Sequence, residues 1–317
     1  MNNDVKKVAI LIPIYKEEIN IKNLIPMLLK QRFSKKFILS RIVIVASECR
    51  EETRDIIKEF IKKNKKIKLI HQDKRRGKAD AINFFLKSSP KEQILVVECA
   101  DTLPTSIYTI NNLIKPLENS KVGMTGGRAL PLNNPKTFVG FINHLIYYML
   151  HEISLKDPKL GELIAFKNLV KKIPKKTIVD EVAIEYMIKK KGLEIYYAKD
   201  AKFWKLGCEK LCELIEQRKR FHMGHIYFLK TKNYRVSTMN LMNVIEAFFK
   251  YIKNNPKKIL LSLCAALLEI FIRTSAYLDF YIFKETYTKK MYVWPVCRTS
   301  KVDLKRYRYE SRYFMYW

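Results

Sequence analysis

A chain of 317 residues, 48% of them hydrophobic, has enough apolar material for a sizeable core, which excludes disorder across most of its length and favours one large domain with an appendage. Sixty-one Lys and Arg against 31 Asp and Glu leave a formal charge of +30, which favours an anionic partner (nucleotide, nucleic acid or acidic membrane surface) without choosing among them. Six cysteines, at 49, 99, 208, 212, 264 and 297, include no C-x-x-C pair and read as neither a disulfide framework nor a zinc site, so a reducing cytoplasm is the expected compartment.

The N-terminus, Met1 to Lys7, lacks the apolar run of a signal peptide. Val8 to Ile14, Ile42 to Ala46, Ile67 to Ile70 and Ile94 to Val97 are short apolar or β-branched runs that predict four strands. Between them, Ile19 to Gln31, Thr53 to Asn64 and Asp80 to Lys87 carry helical spacing, so the first hundred residues alternate as a parallel α/β sheet does. Gln93 to Pro104, Q-I-L-V-V-E-C-A-D-T-L-P, runs a buried-type strand into Asp101, at the end where such sheets bind ligands. Just upstream, Arg75 to Asn83 combines a glycine that lets the chain turn with a helix start that presents cations to an anion. A strand-end carboxylate beside a cationic turn suits a metal-bridged diphosphate; taken singly, Asp101 reads as a helix cap or turn residue.

Beyond Asp101 the regularity fades. Val122 to Arg128 predicts a strand, Pro131 to Pro135 a turn-rich loop, and Phe138 to His151 a long aromatic helix. Asp180 to Lys190 and Glu209 to Leu229 predict further helices, with a strand at Glu194 to Ala198 between them. Cys208 and Cys212, one helical turn apart, read as ordinary helix positions. Ile259 to Phe283 is strongly apolar yet contains Glu269, Arg273 and Asp279, so a surface-lying or interhelical role is expected ahead of a full membrane span. The aromatic and basic end, Tyr307 to Trp317, suits an interfacial anchor or a segment packed on the domain.

In order, these motifs resemble inverting family 2 glycosyltransferases of the GT-A fold. Ile12-Pro13-Ile14-Tyr15-Lys16-Glu17-Glu18 is similar to the family's opening P-x-Y-N-E, and Arg76 to Asn83 to its G-K-x-x-A-x-N. Cys99-Ala100-Asp101 stands in place of D-x-D, Asp180-Glu181 resembles the E-D pair opening an apolar helix, and Gln217-Arg218-Lys219-Arg220-Phe221 resembles Q-x-x-R-W. Leu103-Pro104, Met124 to Arg128 and Gly161 to Phe166 look like a prokaryotic, archaeal-like branch. The implied fold is a Rossmann-like mixed sheet flanked by helices over residues 1–235, with a helical, membrane-associating appendage over 236–317.

The resemblance implies that Pro13, Tyr15, Glu17 and Ser47 lie at the nucleotide end of the site, with Lys78 facing the diphosphate. Asp101 would ligate Mg²⁺ or Mn²⁺. Cys99 departs from the first family Asp, and Ser47-Glu48 stands where an Asp usually recognises the nucleoside. Glu181 takes the position of the catalytic base, with Asp180 before it; Arg220 would stabilise the diphosphate and Gln217 the acceptor-side loop. From the residues alone, Asp180 and Glu181 also suit the N-terminal cap and dipole of a helix. His222 and His225 suit an extra metal or phosphate contact, or helix packing.

The expected activity is transfer of a hexosyl-type sugar from a nucleotide-sugar to a lipid-linked or glycan acceptor in cell-envelope glycan synthesis. The expected place is the cytoplasmic face of the membrane, attached peripherally to an anionic surface, with a single C-terminal span as the lesser reading. Every recognised motif precedes Asn255, so the tail is expected to be dispensable for donor hydrolysis. A GT-A-like nucleotidyltransferase shares the early pattern but does not require the late acidic pair. A basic nucleic-acid-binding protein accounts for the charge, yet no docking motif for nucleic acid is visible and none is expected as partner.

Overall fold

The computed structural model describes residues 5–15, 19–74, 76–89, 91–282 and 297–311; Glu17, Arg75 and the last six aromatic-rich residues lie outside them. The apolar runs form β1 (Lys6–Tyr15), β2 (Phe37–Ser47), β3 (Ile67–Gln72) and β4 (Ile94–Glu98), joined by helices α1 (Ile21–Leu29), α2 (Glu51–Lys63) and α3 (Lys78–Ser88). All four strands are parallel, with β1 central between β2 and β4. Alternation along β1 explains the layering. Val8, Ile10, Ile12 and Ile14 face α1 and join one core cluster, whereas Ala9 and Leu11 join a second that includes Ile82 and Phe85 of α3.

The second half adds β5 (Thr102–Pro104), α4 (Thr109–Ile114), β6 (Val122–Pro131), α5 (Phe138–Lys156), β7 (Leu163–Lys167), α6 (Asp180–Lys189), β8 (Glu194–Lys205) and α7 (Leu211–Lys232). The sheet order is β3-β2-β1-β4-β7-β6-β8-β5, with β7 antiparallel to both neighbours and β5 antiparallel to β8. This is the mixed sheet flanked by helices that the resemblance implies. Strand order reverses between β1 and β4, and the carboxyl ends of those two strands open a crevice there. Four elements escape the pattern reading: β5 and α4 are short, and β7 is a five-residue apolar run whose type periodicity cannot assign. The fourth, α8 (Leu241–Asn254), does carry Leu241, Ile245, Phe248 and Phe249 at helical spacing. Cys208 lies in the loop ahead of α7, not on the helix as expected, and is buried.

Helix α9 (Ile259–Ile282) packs along α7 and resolves the conflict between its apolar length and its charges. Glu269 accepts two hydrogen bonds from the Arg218 guanidinium at 2.7 and 2.8 Å, one from Arg273 at 2.8 Å, and lies 2.9 Å from His222 Nε2. Asp279 pairs with Lys219. The charges thus face α7, while Leu260, Leu267, Ile270 and Phe271 point outward and are well exposed. Residues 297–311 return to the sheet. Leu304, which opens α10 (Leu304–Ser311), is fully buried in the β1 core, and Asn20 binds both sides of it, accepting from the Leu304 amide and donating to the Val302 carbonyl.

Glu98, at the end of β4, is completely buried, and its Oε2 has no hydrogen-bond partner among the described residues. Burial pushes its carboxyl up to about 8; nearby Asp101 and Glu162 add to the shift, against a hydrogen bond from Thr102. Folded Glu98 therefore keeps a proton that the unfolded chain has already lost between about pH 4.5 and 8, so its contribution to stability declines as pH rises through that window. Glu98→Gln should melt progressively higher than the parent as pH goes from 5 to 8, measured by calorimetry at both. A pH-independent difference in melting temperature would refute this assignment.

Candidate active site

One cavity of about 1010 Å³ opens at the crevice between β1 and β4 and extends to α8 and α9. Its walls include every described residue expected at the site: Pro13, Tyr15, Ser47, Lys78, Asp101, Asp180, Glu181, Gln217 and Arg220. Glu17 lies outside the described residues. Pro13 and Tyr15 come from the end of β1; Ser47 ends β2 and donates to Gln72 Oε1 at 2.7 Å. Gly77 has φ +84°, a left-handed conformation that a side chain disfavours, and this turn starts α3 with Lys78 pointing into the cavity.

Three acids of the cavity wall, Asp101, Asp180 and Glu181, are each met by a lysine. Lys78 Nζ lies 2.9 Å from Asp180 Oδ2, and Lys159 Nζ 3.4 Å from Glu181 Oε1. Asp101 Oδ2 is held by Lys205 at 2.7 Å and by Lys301 at 3.1 Å. Burial by itself lowers the Lys78 ammonium, but Asp180, with Cys99 and Glu181 nearby, holds it above its usual value; Asp101 and Glu162 do the same for Lys205. Burial raises the Glu181 carboxyl, and Asp180 reinforces the shift while Lys159 opposes it. Lys78 and Lys205 thus stay charged, whereas burial lowers Lys301 to about 7, and the acidic pair includes a carboxyl that binds its proton more tightly than an ordinary glutamate.

Cys99 occupies the place of the first family Asp, and burial pushes its thiol up to about 12. A neutral thiol is a poor partner for Mg²⁺ or Mn²⁺. Asp101 fits a hard cation through one oxygen: both lysines contact Oδ2, which leaves Oδ1 to ligate, with a diphosphate supplying most of the remaining oxygens. His222 and His225 line the same cavity from α7. His222 is paired with Glu269, burial lowers both imidazoles, and α7 packs them against α9 and the second core cluster.

Sequence reasoning missed Lys159, Lys205, Lys301 and Glu162. Lys205 ends β8 and Lys301 sits on the returning strap, so their partner Asp101 is 104 and 200 residues away. Glu162 lines the cavity within 3.4 Å of the Tyr147 hydroxyl, which donates to it; the Gly161-Glu162 stretch was legible only as a branch-like signature. The position of the motifs, all before Asn255, suggests a tail separate from the site, but part of the tail reaches the cavity. Cys297, Ser300 and Lys301 line the cavity, because Asn20 and the α7 residue Glu213 draw 297–304 back onto the sheet.

The sequence model described as Glycosyl transferase family 2 matches residues 9–170, just over half of the 317. Among curated relatives, the poly-beta-1,6-N-acetyl-D-glucosamine synthase of Staphylococcus epidermidis is 24% identical over 238 residues, covering 70% of this chain and 55% of the relative. The synthase of the same name from Staphylococcus aureus strain COL is 23% identical over 273 residues, covering 79% and 64%. The chain therefore spans little more than half the length of these relatives. Among solved structures, a mannosyltransferase from Pyrobaculum calidifontis in complex with GDP-Man and Mn²⁺ superimposes with a TM-score of 0.56 at 19% identity, over 96% of this chain and 87% of that one. That likeness speaks for the fold. With the ordered motifs, the GT-A sheet and the family match in agreement, the chain belongs to glycosyl transferase family 2 and is a glycosyltransferase.

Proposed function

We propose that the chain transfers a sugar from a nucleotide-sugar to a hydroxyl of a lipid-linked or glycan acceptor, with inversion and with a divalent cation at Asp101. Residues 1–235 form the catalytic half and 236–317 the membrane-associating appendage, whose 297–304 strap returns to the donor end. The observation that carries this reading is the convergence of Asp101, Lys78, the Asp180–Glu181 pair and Arg220 on one cavity, although they come from four separate elements. Family membership favours sugar transfer over the nucleotidyltransferase reading. The synthase activity of the relatives supports a glycan acceptor, and the solved neighbour's ligands support a nucleotide-sugar with Mn²⁺.

Pro13, Tyr15 and Ser47 form the nucleotide end, and Lys78, Lys205, Lys301 and Arg220 surround the diphosphate. Their ammonium and guanidinium groups favour the step in which negative charge collects on the leaving nucleotide. A divalent cation bound at Asp101 supplies further neutralisation of that charge. Glu181 faces the acceptor side and takes the proton of the attacking hydroxyl, while Asp180 holds Lys78. Gln217 orders the acceptor-side loop. Because Glu181 must be ionised to act, and burial raises its pKa, transfer should fall on acidification at a higher pH than an ordinary glutamate of ~4.3 allows.

A panel of nucleotide-sugars with and without Mn²⁺, scored for donor hydrolysis and for transfer, tests the activity; no turnover of any donor would sink it. Glu181→Gln should keep donor binding and lose transfer by about 10²-fold or more, together with the acid limb of the kcat profile. If Asp180→Asn is the more damaging change with donor binding intact, the base is Asp180. Asp101→Asn should abolish the Mn²⁺-dependent part of donor binding while the fold is kept, read by titration calorimetry and circular dichroism. Unchanged Mn²⁺-dependent turnover would remove Asp101 from the metal site.

The outward apolar side chains of α8 and α9 support peripheral attachment at the cytoplasmic face. The segment Pro256–Ile282 is long and apolar enough to cross a membrane by length and composition, yet its Glu269 and Asp279 are committed to α7. Buried apolar area and attraction to anionic lipid together hold such a helix at the interface. The full chain should therefore sediment with anionic vesicles at low salt and be released at least in part by high salt or alkaline carbonate. Complete resistance to both would establish a span.

A further inference from the structure

Cys208, Glu213 and Cys297 belong to no sequence motif, yet they meet at one point. Cys208 lies ahead of α7, Glu213 in its first turn, and Cys297 opens the returning strap. The two thiol sulfurs and a Glu213 carboxylate oxygen lie within 4.8 Å of one another, and no other group of three His, Cys, Asp or Glu does so among the described residues. Cys297 Sγ is 3.2 Å from Glu213 Oε2. On a tetrahedral zinc with ligand bonds of ~2.3 Å to sulfur and ~2.0 Å to oxygen, neighbouring ligand atoms are about 3.5–3.8 Å apart. The Cys297–Glu213 pair is already near that spacing, and the other pairs lie within 4.8 Å.

The surroundings hold the ligands in place. Gly207 passes so close to Asn143 that a Cβ there would meet its Oδ1 at 1.9 Å, and the amides of Asn143 and Asn133 donate to the Cys208 carbonyl at 3.0 and 3.5 Å. Glu213 accepts from the backbone amides of Arg298 and Thr299 at 3.2 and 3.3 Å and from the Thr299 hydroxyl. Such hydrogen bonds to a ligating carboxylate, and a fixed backbone behind a ligating thiol, are what orient metal ligands. Two sulfurs and one oxygen select a borderline-soft divalent cation over Mg²⁺ or Mn²⁺.

We propose that Cys208, Cys297 and Glu213 bind a zinc-class divalent cation, with the fourth position left to water. Binding converts the two thiols to thiolates and releases their protons to solvent; no electron moves. The cation staples the strap to the loop ahead of α7. Lys301 follows Cys297 by one turn of chain and reaches Asp101, so the staple fixes a cation of the donor end from outside it. The proposal does not depend on which sugar or acceptor the enzyme uses.

The test uses the full chain, stripped with chelator and titrated with Zn²⁺ against a chromophoric competitor, then with Co²⁺ followed by absorption. Expected are one Zn²⁺ per chain and a thiolate-to-cobalt charge-transfer band in the near ultraviolet. Cys208→Ser and Cys297→Ser should each weaken Zn²⁺ by at least the ~10–100-fold that losing a ligand's hydrogen-bond partner costs, and each should diminish the band. Cys212→Ser and Cys264→Ser, whose thiols are exposed outside the cluster, should leave both intact, and circular dichroism checks that all four variants fold. Absence of stoichiometric Zn²⁺ in the parent chain overturns the proposal. So does a band that survives loss of both thiols, or a mass two hydrogens short with Cys208 and Cys297 joined as a disulfide in the chain as isolated.

Discussion

A carboxylate carried to the end of a buried strand cannot remain charged there without a counter-ion, and the strand-end side of this cavity is organised around that requirement. Asp101 follows β4 and draws two lysines; Asp180 opens α6 and draws Lys78. Glu98, three residues before Asp101 and without such a partner, is instead held toward its neutral form. The contrast between these two acids of one short stretch shows the same desolvation resolved in two ways. Lys78 and Lys205 are thereby held charged and in place in the cavity wall by carboxylates of the chain itself.

The same logic governs α9. A helix of this apolar length carrying three charged residues invites either a costly burial or a rotation that hides the charges. Here Arg218, Lys219 and His222 of α7 collect Glu269 and Asp279 on one side. Two of these partners, Arg218 and Lys219, come from the motif that also supplies Gln217 and Arg220 to the cavity. One helix therefore presents one set of side chains to the reaction and another to the element that carries the exposed apolar face. Removing α9 would strand Arg218 and His222 within the wall of the cavity, not merely detach a tail.

How much of this was legible in the sequence depended on range. Strands such as β1 and β4 declare themselves through local runs of Val, Ile and Leu, and the residues Lys78, Asp101, Asp180 and Arg220 sit in short motifs whose order is itself the signal. The lysines that neutralise them follow no local rule. Lys205 looks like the last residue of an ordinary strand, and Lys301 like one basic residue in a basic chain; only the fold brings them to Asp101. The same is true of Cys297, which pattern reading left as a scattered thiol because its neighbours in space are 84 to 89 positions away. Amphipathic α8 shows the opposite case, a local signal present in the residues and fully realised in the structure.

The distance in sequence between Asp101 and its two lysines orders events during synthesis. At roughly 5–20 residues per second, Lys205 follows Asp101 after about 5–20 s and Lys301 after about 10–40 s. Strands β1 to β4 can therefore assemble on the ribosome with Asp101, just past β4, still awaiting its first cation, which arrives with the end of β8. The second arrives only when the strap does. A nascent chain can thus hold a finished sheet while Asp101 still lacks its second cation, which comes only with the polypeptide beyond α9.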